Sequence, residues 1–438
     1  MHLRHRRKGL TDMSNNDKER LTVVVGAGAS VQVGCSSTES VTRSLIEKVD
    51  RALSEVGWGE RNLVGMLKKH LEGYCDDVNF EHLMHALEFI STIQRSRGSN
   101  KSKENRFVNK HGSMEAKMIG GLHPEIQSFL DGCDGDCVNE AIEHIHRDIM
   151  EIFSNESKNA DRSPLWTEYV QFWSSLGREF NLDIVTTNYD ICIENAFRDA
   201  NLPELVNGFI KTSGECSPEF NSSALRSSSE SRIMHLHGSV QFSSRISHEQ
   251  TELLHDLCFF EDPSRAVTLF RPGFHNQNQA GRDVTLGPIV TGLNKLDKLM
   301  HIEPYATYYR QFIDCLQGNR NLLLIGYGGG DQHINSGLRR VKQWHDNRRK
   351  VMILGKTEPI RDNGSNIGWK VPHWVSDPNG FLWHMTDFPR HLSSIIRRQM
   401  FLPTDLPLES DDRCCKIDLD GFLIEKRNRA EDVLSFLQ

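Results

Sequence analysis

Leu21-Thr22-Val23-Val24-Val25-Gly26-Ala27-Gly28-Ala29-Ser30 is the stretch whose reading decides the fold. Its first five residues are apolar or β-branched, as a buried strand requires, and the glycines behind them suit a tight turn. Val41, Leu45, Ile46, Val49 and Leu53 then recur at helical spacing, so the order is strand, Gly-rich turn, helix. Backbone N–H groups at such a turn, at the positive end of a helix, form a cradle for a pyrophosphate. Gly26 and Gly28 meet that need, with Ala27, Ala29 and Ser30 around them. Two nucleotide fingerprints are excluded. The dehydrogenase pattern G-x-G-x-x-G would place its third glycine at Val31, and Gly328-Gly329-Gly330 lacks the G-K-[ST] of a nucleoside-triphosphate loop.

Beyond this stretch, Leu182 to Thr187, Arg232 to Leu236, Asn321 to Tyr327 and Lys350 to Leu354 read as short strands bounded by turn or polar residues. Continuous apolar runs such as Leu322-Leu323-Leu324-Ile325 suit a parallel sheet covered on both faces. The expected class is α/β, a doubly wound, mainly parallel Rossmann-like sheet with a helical insertion. The division expected is a flexible leader over 1–20, a Rossmann-like domain over 21–55 and 181–400, a helical insertion over 56–180, and a tail over 401–438. Within the insertion, Leu83, Leu87 and Ile90, and again Ile142, Ile145, Ile149 and Ile152, mark helix faces. Ser96 to Lys117 is too polar to offset its ordering entropy and reads as a mobile loop. Lys211 to Ser231 is rich in serine and reads as a linker or a cover over a site. The tail ends in a short charged helix candidate, Ile424 to Leu437.

Composition narrows the function. Lys plus Arg number 52 against 59 Asp plus Glu, a net charge of -7, so no overall field draws the chain to nucleic acid or anionic lipid. The basic start, Met1 to Lys8, lacks the apolar run of a signal peptide, and no apolar stretch is long enough to span a bilayer. The expected location is the cytoplasm. Cys133 and Cys137 form a C-x3-C pair without a second pair to complete a zinc site, so no metal is expected. His82 and His85 lack the order of a metalloprotease helix, and His235 reads as structural.

Three further motifs close strands. Thr186-Thr187-Asn188-Tyr189-Asp190, His235-Leu236-His237-Gly238 and Gly326-Tyr327-Gly328-Gly329-Gly330-Asp331 join the first turn at the carboxyl ends of the strands, where open α/β sheets bind ligands. Hydrolytic chemistry in such a crevice needs a group to place water and a base to take a proton. Asn188 and His237 are the right types, since an imidazole is able to accept a proton near neutral pH. Asp190 suits either holding a carboxamide or stabilising positive charge, and Asn188 or Asp190 also suits capping a helix that begins near Ile191.

The order G-A-G-A-S, T-T-N-Y-D, H-G, G-Y-G-G-G-D resembles the sirtuin superfamily, and more closely its bacterial NAD-cleaving branch found in antiphage defence. The resemblance implies NAD as substrate, with Gly26 to Ser30 at its pyrophosphate, Thr187, Asn188 and Asp190 beside the nicotinamide ribose, and His237 as base. Gly326, Tyr327 and Asp331 fall on the adenosine side. Deacylating sirtuins follow the first turn with Asp-Phe-Arg and carry a four-cysteine zinc ribbon after the histidine. Here Cys35-Ser36-Ser37-Thr38-Glu39 follows, Thr187 replaces a Gln, and only Cys258 and Cys315 lie between His237 and Gly326. Asn79-Phe80-Glu81, Gly292-Leu293-Asn294-Lys295 and Asp331-Gln332-His333-Ile334-Asn335 resemble the defence branch. The implied activity is an NAD glycohydrolase, with a protein deacylase or a non-catalytic NAD or ADP-ribose sensor as alternatives. The resemblance also implies a homo-oligomer with a HerA-type ATPase partner or a phage-derived trigger.

Overall fold

The computed structural model describes residues 18–55, 62–74, 78–98, 135–210, 219–244, 257–268, 275–277, 283–285, 287–292, 295–300, 302–356, 358–362, 365–370, 381–385, 407–410, 412–419, 422–423 and 428–438. Its main sheet comprises β1 (Arg20–Val25), β2 (Asn181–Thr186), β3 (Arg232–His235), β4 (Asn321–Ile325), β5 (Lys350–Leu354), β6 (Pro407–Glu409) and β7 (Cys415–Asp418). They lie in the order β6-β7-β5-β4-β1-β2-β3. All neighbours from β7 to β3 are parallel, and β6 runs antiparallel at the edge. This is the α/β, Rossmann-like sheet that the apolar runs predict. The chain leaves β1 for β2 and β3 on one side and returns to β4 on the other, so the switch point lies between β1 and β4.

The side-chain alternation of the strands divides the core. Leu21, Val23 and Val25 pack with Leu182, Ile184, Leu323 and Ile325 on one face, under α6 (Trp166–Glu179), α7 (Cys192–Asp199) and α12 (Arg429–Leu437). Val24, Val185, Leu322 and Leu324 face the other way, toward α10 (Tyr305–Gly318) and α11 (Gln332–Leu338). A third core joins α2 (Thr38–Glu55), α3 (Leu63–Leu71), α4 (Phe80–Gly98) and α5 (Gly135–Asn159) to Tyr189, Val240 and Ile289. Since Tyr189 and Val240 follow the carboxyl ends of β2 and β3, this helical layer sits over that end of the sheet. Among the described residues no helix is long and apolar enough to cross a membrane.

Four details depart from the sequence reading. The first turn opens into a five-residue helix, α1 (Ala27–Val31), and α2 starts only after a further loop and packs in the helical layer. Arg20, placed in the leader, begins β1 and bonds Asp183. Part of the serine-rich segment is α8 (Ser222–Ser227), because Asn221 Oδ1 accepts from Ser223 N and Ala224 N at 2.9 and 3.0 Å and Leu225 is buried. In the tail, β6 and β7 extend the sheet, and Arg429 of α12 pairs with buried Asp418 at 2.9 Å. Residues 1–17, the polar stretch beyond Gly98, residues 211–218 and Cys133 lie outside the described residues.

Candidate active site

The glycines after β1 and β4 are needed first for contact with each other. Gly26 N donates to Ile325 O at 2.9 Å and Gly28 N to Gly326 O at 3.0 Å. A Cβ on Gly26 would stand 2.7 Å from Gly326 O, and one on Gly326, whose φ is +59°, would stand 2.3 Å from Ala29 N. The two turns therefore touch at the switch point only because neither carries a side chain. Ala29 points into the core and is fully buried.

Around this contact opens a cavity of about 850 Å³. Gly26, Ala27, Gly28, Ser30, Thr187, Asn188, Asp190, His237, Gly326, Tyr327 and Asp331 all line it, so of the candidate residues Ala29 alone falls outside. Asn188 is locked by its nitrogen: Nδ2 donates to Ser30 Oγ at 2.9 Å and to Gly26 O at 3.2 Å. Its Oδ1 has no hydrogen-bond partner among the described residues. Asn188 caps no helix. Asp190, one residue before the cap position of α7, instead accepts from Cys192 N at 3.1 Å, and burial pushes its carboxyl up against the bonds from Cys192 and Ser30. The Tyr327 hydroxyl is engaged, 2.8 Å from Asn335 Oδ1.

His237 stands at the end of β3, where Gly238, at φ +94°, turns the chain away. Its ring is buried among charged groups from three other parts of the chain. Nε2 lies 3.2 Å from His333 Nε2 and 3.6 Å from Asp331 Oδ1, and Nδ1 lies 3.5 Å from Lys295 Nζ. Lys295, the first residue of α9 (Lys295–Leu299), is itself 3.1 Å from both Glu81 Oε1 and Asp331 Oδ1. Glu81, in the first turn of α4, also accepts from Gly292 N. Burial, with Lys295 and His333 adding and Asp331 opposing, drives the His237 pKa well below the ordinary imidazole value. His333 is likewise brought down to about 4, chiefly by burial. Asp331 is held well below the usual carboxylate range, because Lys295 and the two histidines outweigh its burial.

Glu81, Lys295 and His333 were not among the residues assigned a role from sequence. Each lay inside a motif with a defence-type resemblance, which was the only signal for them. His235, two residues from His237, bonds Glu194 at 2.8 Å and does not line the cavity, as its structural reading expects. Among the described residues, two groups each offer three ligand atoms within 4.8 Å of one another, Cys35–Asp190–Cys192 and His237–Asp331–His333. In the first, the hydrogen bond to Cys35, then burial and Asp190, push the Cys192 thiol well up. In the second, Asp331 Oδ1 also meets the Lys295 ammonium at 3.1 Å.

Residues 183–366 match the SIR2-like domain family. That stretch, less than half of the chain, is what is similar to the family. The matched span includes Asn188, His237 and the β4 turn, while the Gly26–Ser30 turn precedes it and reaches the site through the place of β1 beside β4. A SIR2-like domain implies NAD binding, and members of this family are NAD-dependent enzymes. No curated protein matches the chain.

Proposed function

We propose that the chain is an NAD glycohydrolase, releasing nicotinamide and ADP-ribose, with Asn188 and His237 as its catalytic pair. One observation carries this reading. An asparagine fixed through its nitrogen, with Oδ1 unpartnered among the described residues, shares a cavity with a histidine whose surroundings disfavour its protonation. Asn188 Oδ1 would hold a water, and neutral His237 would take its proton as the water bonds to the anomeric carbon of the nicotinamide ribose. The electrons of the broken C–N bond leave with nicotinamide. Water and NAD thus give nicotinamide, ADP-ribose and a proton. The buried carboxyl of Asp190 is available to stabilise charge developing on the ribose.

Hydrolysis is favoured over deacylation by the two cysteines between His237 and Gly326. Cys258 is buried on a short strand and donates to Ser243 O, while Cys315 sits in α10 against Arg232, so they serve separate cores and build no zinc ribbon. The resemblance to the defence branch supports a role as an NAD-depleting antiphage effector, a homo-oligomer acting beside a HerA-type ATPase or a phage-derived trigger. The test is nicotinamide release by purified protein, alone and with the candidate activator. Wild type should consume NAD, and Asn188→Ala or His237→Ala should lower the rate about 10²- to 10⁴-fold. Release that depends on an acyl-lysine peptide would replace this reading with a deacylase, and tight NAD binding without turnover would replace it with a sensor.

A further inference from the structure

We propose that Lys295 is a positioning residue for the reaction: a buried ammonium, anchored by Glu81 and Asp331, that holds His237 in its proton-accepting form. The inference rests on the reading of His237 as the base. Lys295 is poorly placed for a surface role, since its side chain is 12% exposed and lines the cavity. A lysine has donors only, and here they are held by acceptors from two separate elements, the start of α4 and the loop entering α11. This two-sided anchoring holds Nζ 3.5 Å from His237 Nδ1. Such a contact is at the long limit of a hydrogen bond, so Lys295 acts on the ring mainly through its charge.

The groups facing the His237 ring are Lys295 from α9, Asp331 from the loop before α11 and His333 from α11, with Glu81 of α4 behind Lys295. Asp331 alone favours an imidazolium; Lys295 and His333 oppose it. Were Lys295 absent, Asp331 and Glu81 would leave an excess of negative charge beside the ring and draw a proton onto it. A base protonated in that way is lost to the reaction. Burial lowers the His237 pKa most, and Lys295 adds to it, extending to lower pH the range in which the site works. It does so from α9, fastened to the helical layer through Glu81, and need not touch the reacting atoms.

The test follows His237 directly by NMR of isotope-labelled histidine, its signal assigned by loss in His237→Gln, alongside the pH profile of NAD hydrolysis. Lys295→Met should move both the His237 titration and the acid limb to higher pH, lowering the rate at a fixed pH on that limb about tenfold. Lys295→Arg keeps the charge and should restore both. Lys295→Met leaves two buried carboxylates facing each other. If that protein does not fold, Lys295→Met combined with Glu81→Gln removes one of them and should still show the upward shift. A His237 titration unchanged without Lys295, or a rate loss equal at every pH, would overturn the inference. Absence of NAD turnover in wild type sinks the glycohydrolase reading instead, while the NMR titration still decides the role of Lys295.

Discussion

Two buried ionic clusters sit at opposite ends of the same strands. At the amino end, Asp183 of β2 receives Arg20 from β1 at 2.7 and 3.1 Å, Arg232 from β3 at 2.5 Å, and Asn319 from the residues before β4 at 2.8 Å. At the carboxyl end, Glu81, His237, Lys295, Asp331 and His333 meet over the cavity, and the contacts of the His237 ring run from 3.2 to 3.6 Å. The first cluster is closed. Both oxygens of its one carboxylate are taken, and its positive charges outnumber the negative. In the second, two carboxylates outnumber the one ammonium, the imidazole pKa values are lowered by burial, and the groups line an open cavity. Buried charge stabilises where geometry saturates it and is poised to react where geometry leaves it loose.

The amino-end cluster should therefore respond in stability and not in chemistry. Burial would raise the Asp183 carboxyl, but the bonds and charges of Arg20 and Arg232 outweigh it and hold it below its ordinary value. Asp183→Ala leaves Arg232 buried without its partner and should cost about 3–5 kcal/mol in urea unfolding. NAD turnover per folded molecule should stay at the wild-type level. A variant of full stability with lost turnover would erase the contrast between the two ends.

Acid should separate the ends by pH window. His333 is held at about 4 against an ordinary 6.5, so as pH falls the unfolded chain binds this proton first. The stability tied to neutral His333 is complete above about 6.5 and is lost as pH falls toward 4, on the order of 3 kcal/mol in all. Asp183 has the depressed pKa of a paired carboxylate, so its contribution is present above 3.8 and is lost only at lower pH. Glu81 and Asp190, raised by burial, act in the opposite sense, gaining stability as they protonate. Comparing wild type with His333→Gln isolates the histidine. Their urea midpoints should converge between pH 6.5 and 4, and parallel curves over that window would show that His333 is not buried neutral.

The amino-end cluster and the carboxyl-end cluster were also unequally legible. Val23-Val24-Val25 and Leu322-Leu323-Leu324-Ile325 announce central strands because both faces are covered, and the observed ends fall within a residue or two of those expected. Cys415-Lys416-Ile417-Asp418 carries no such pattern; β7 exists because β5 offers it a parallel partner. At the site, Asn188 and His237 stand at strand ends, where position alone suggests a role. Glu81 and Lys295 reach it from α4 and α9, across 211 and 58 residues from Gly292 and His237, by packing that no local spacing encodes. Asn188 and Asp190 divide between them two roles that the sequence left open for either, since only Asp190 bonds the first turn of α7.

The smallest expected effect lies in Ser30, which separates a saturated polar group from a loose one within a single side chain. Ser30 Oγ accepts from Asn188 Nδ2 at 2.9 Å and donates to Asp190, so it helps fix which end of the amide is left without a partner. Nδ2 keeps a second, longer bond to Gly26 O at 3.2 Å, and Asp190 keeps Cys192 N, so neither neighbour is stranded by Ser30→Ala. The stability loss should be about 1 kcal/mol, that of one neutral hydrogen bond. Held by one bond in place of two, the amide is free to turn, and each turned amide presents donors where Oδ1 should accept a water. NAD hydrolysis should fall about five- to tenfold, with a smaller change in KM, because the lost orientation acts on the water and not on the dinucleotide. Unchanged turnover at reduced stability would make Ser30 a brace like Arg232, and the orientation of Asn188 would then depend on Gly26 alone.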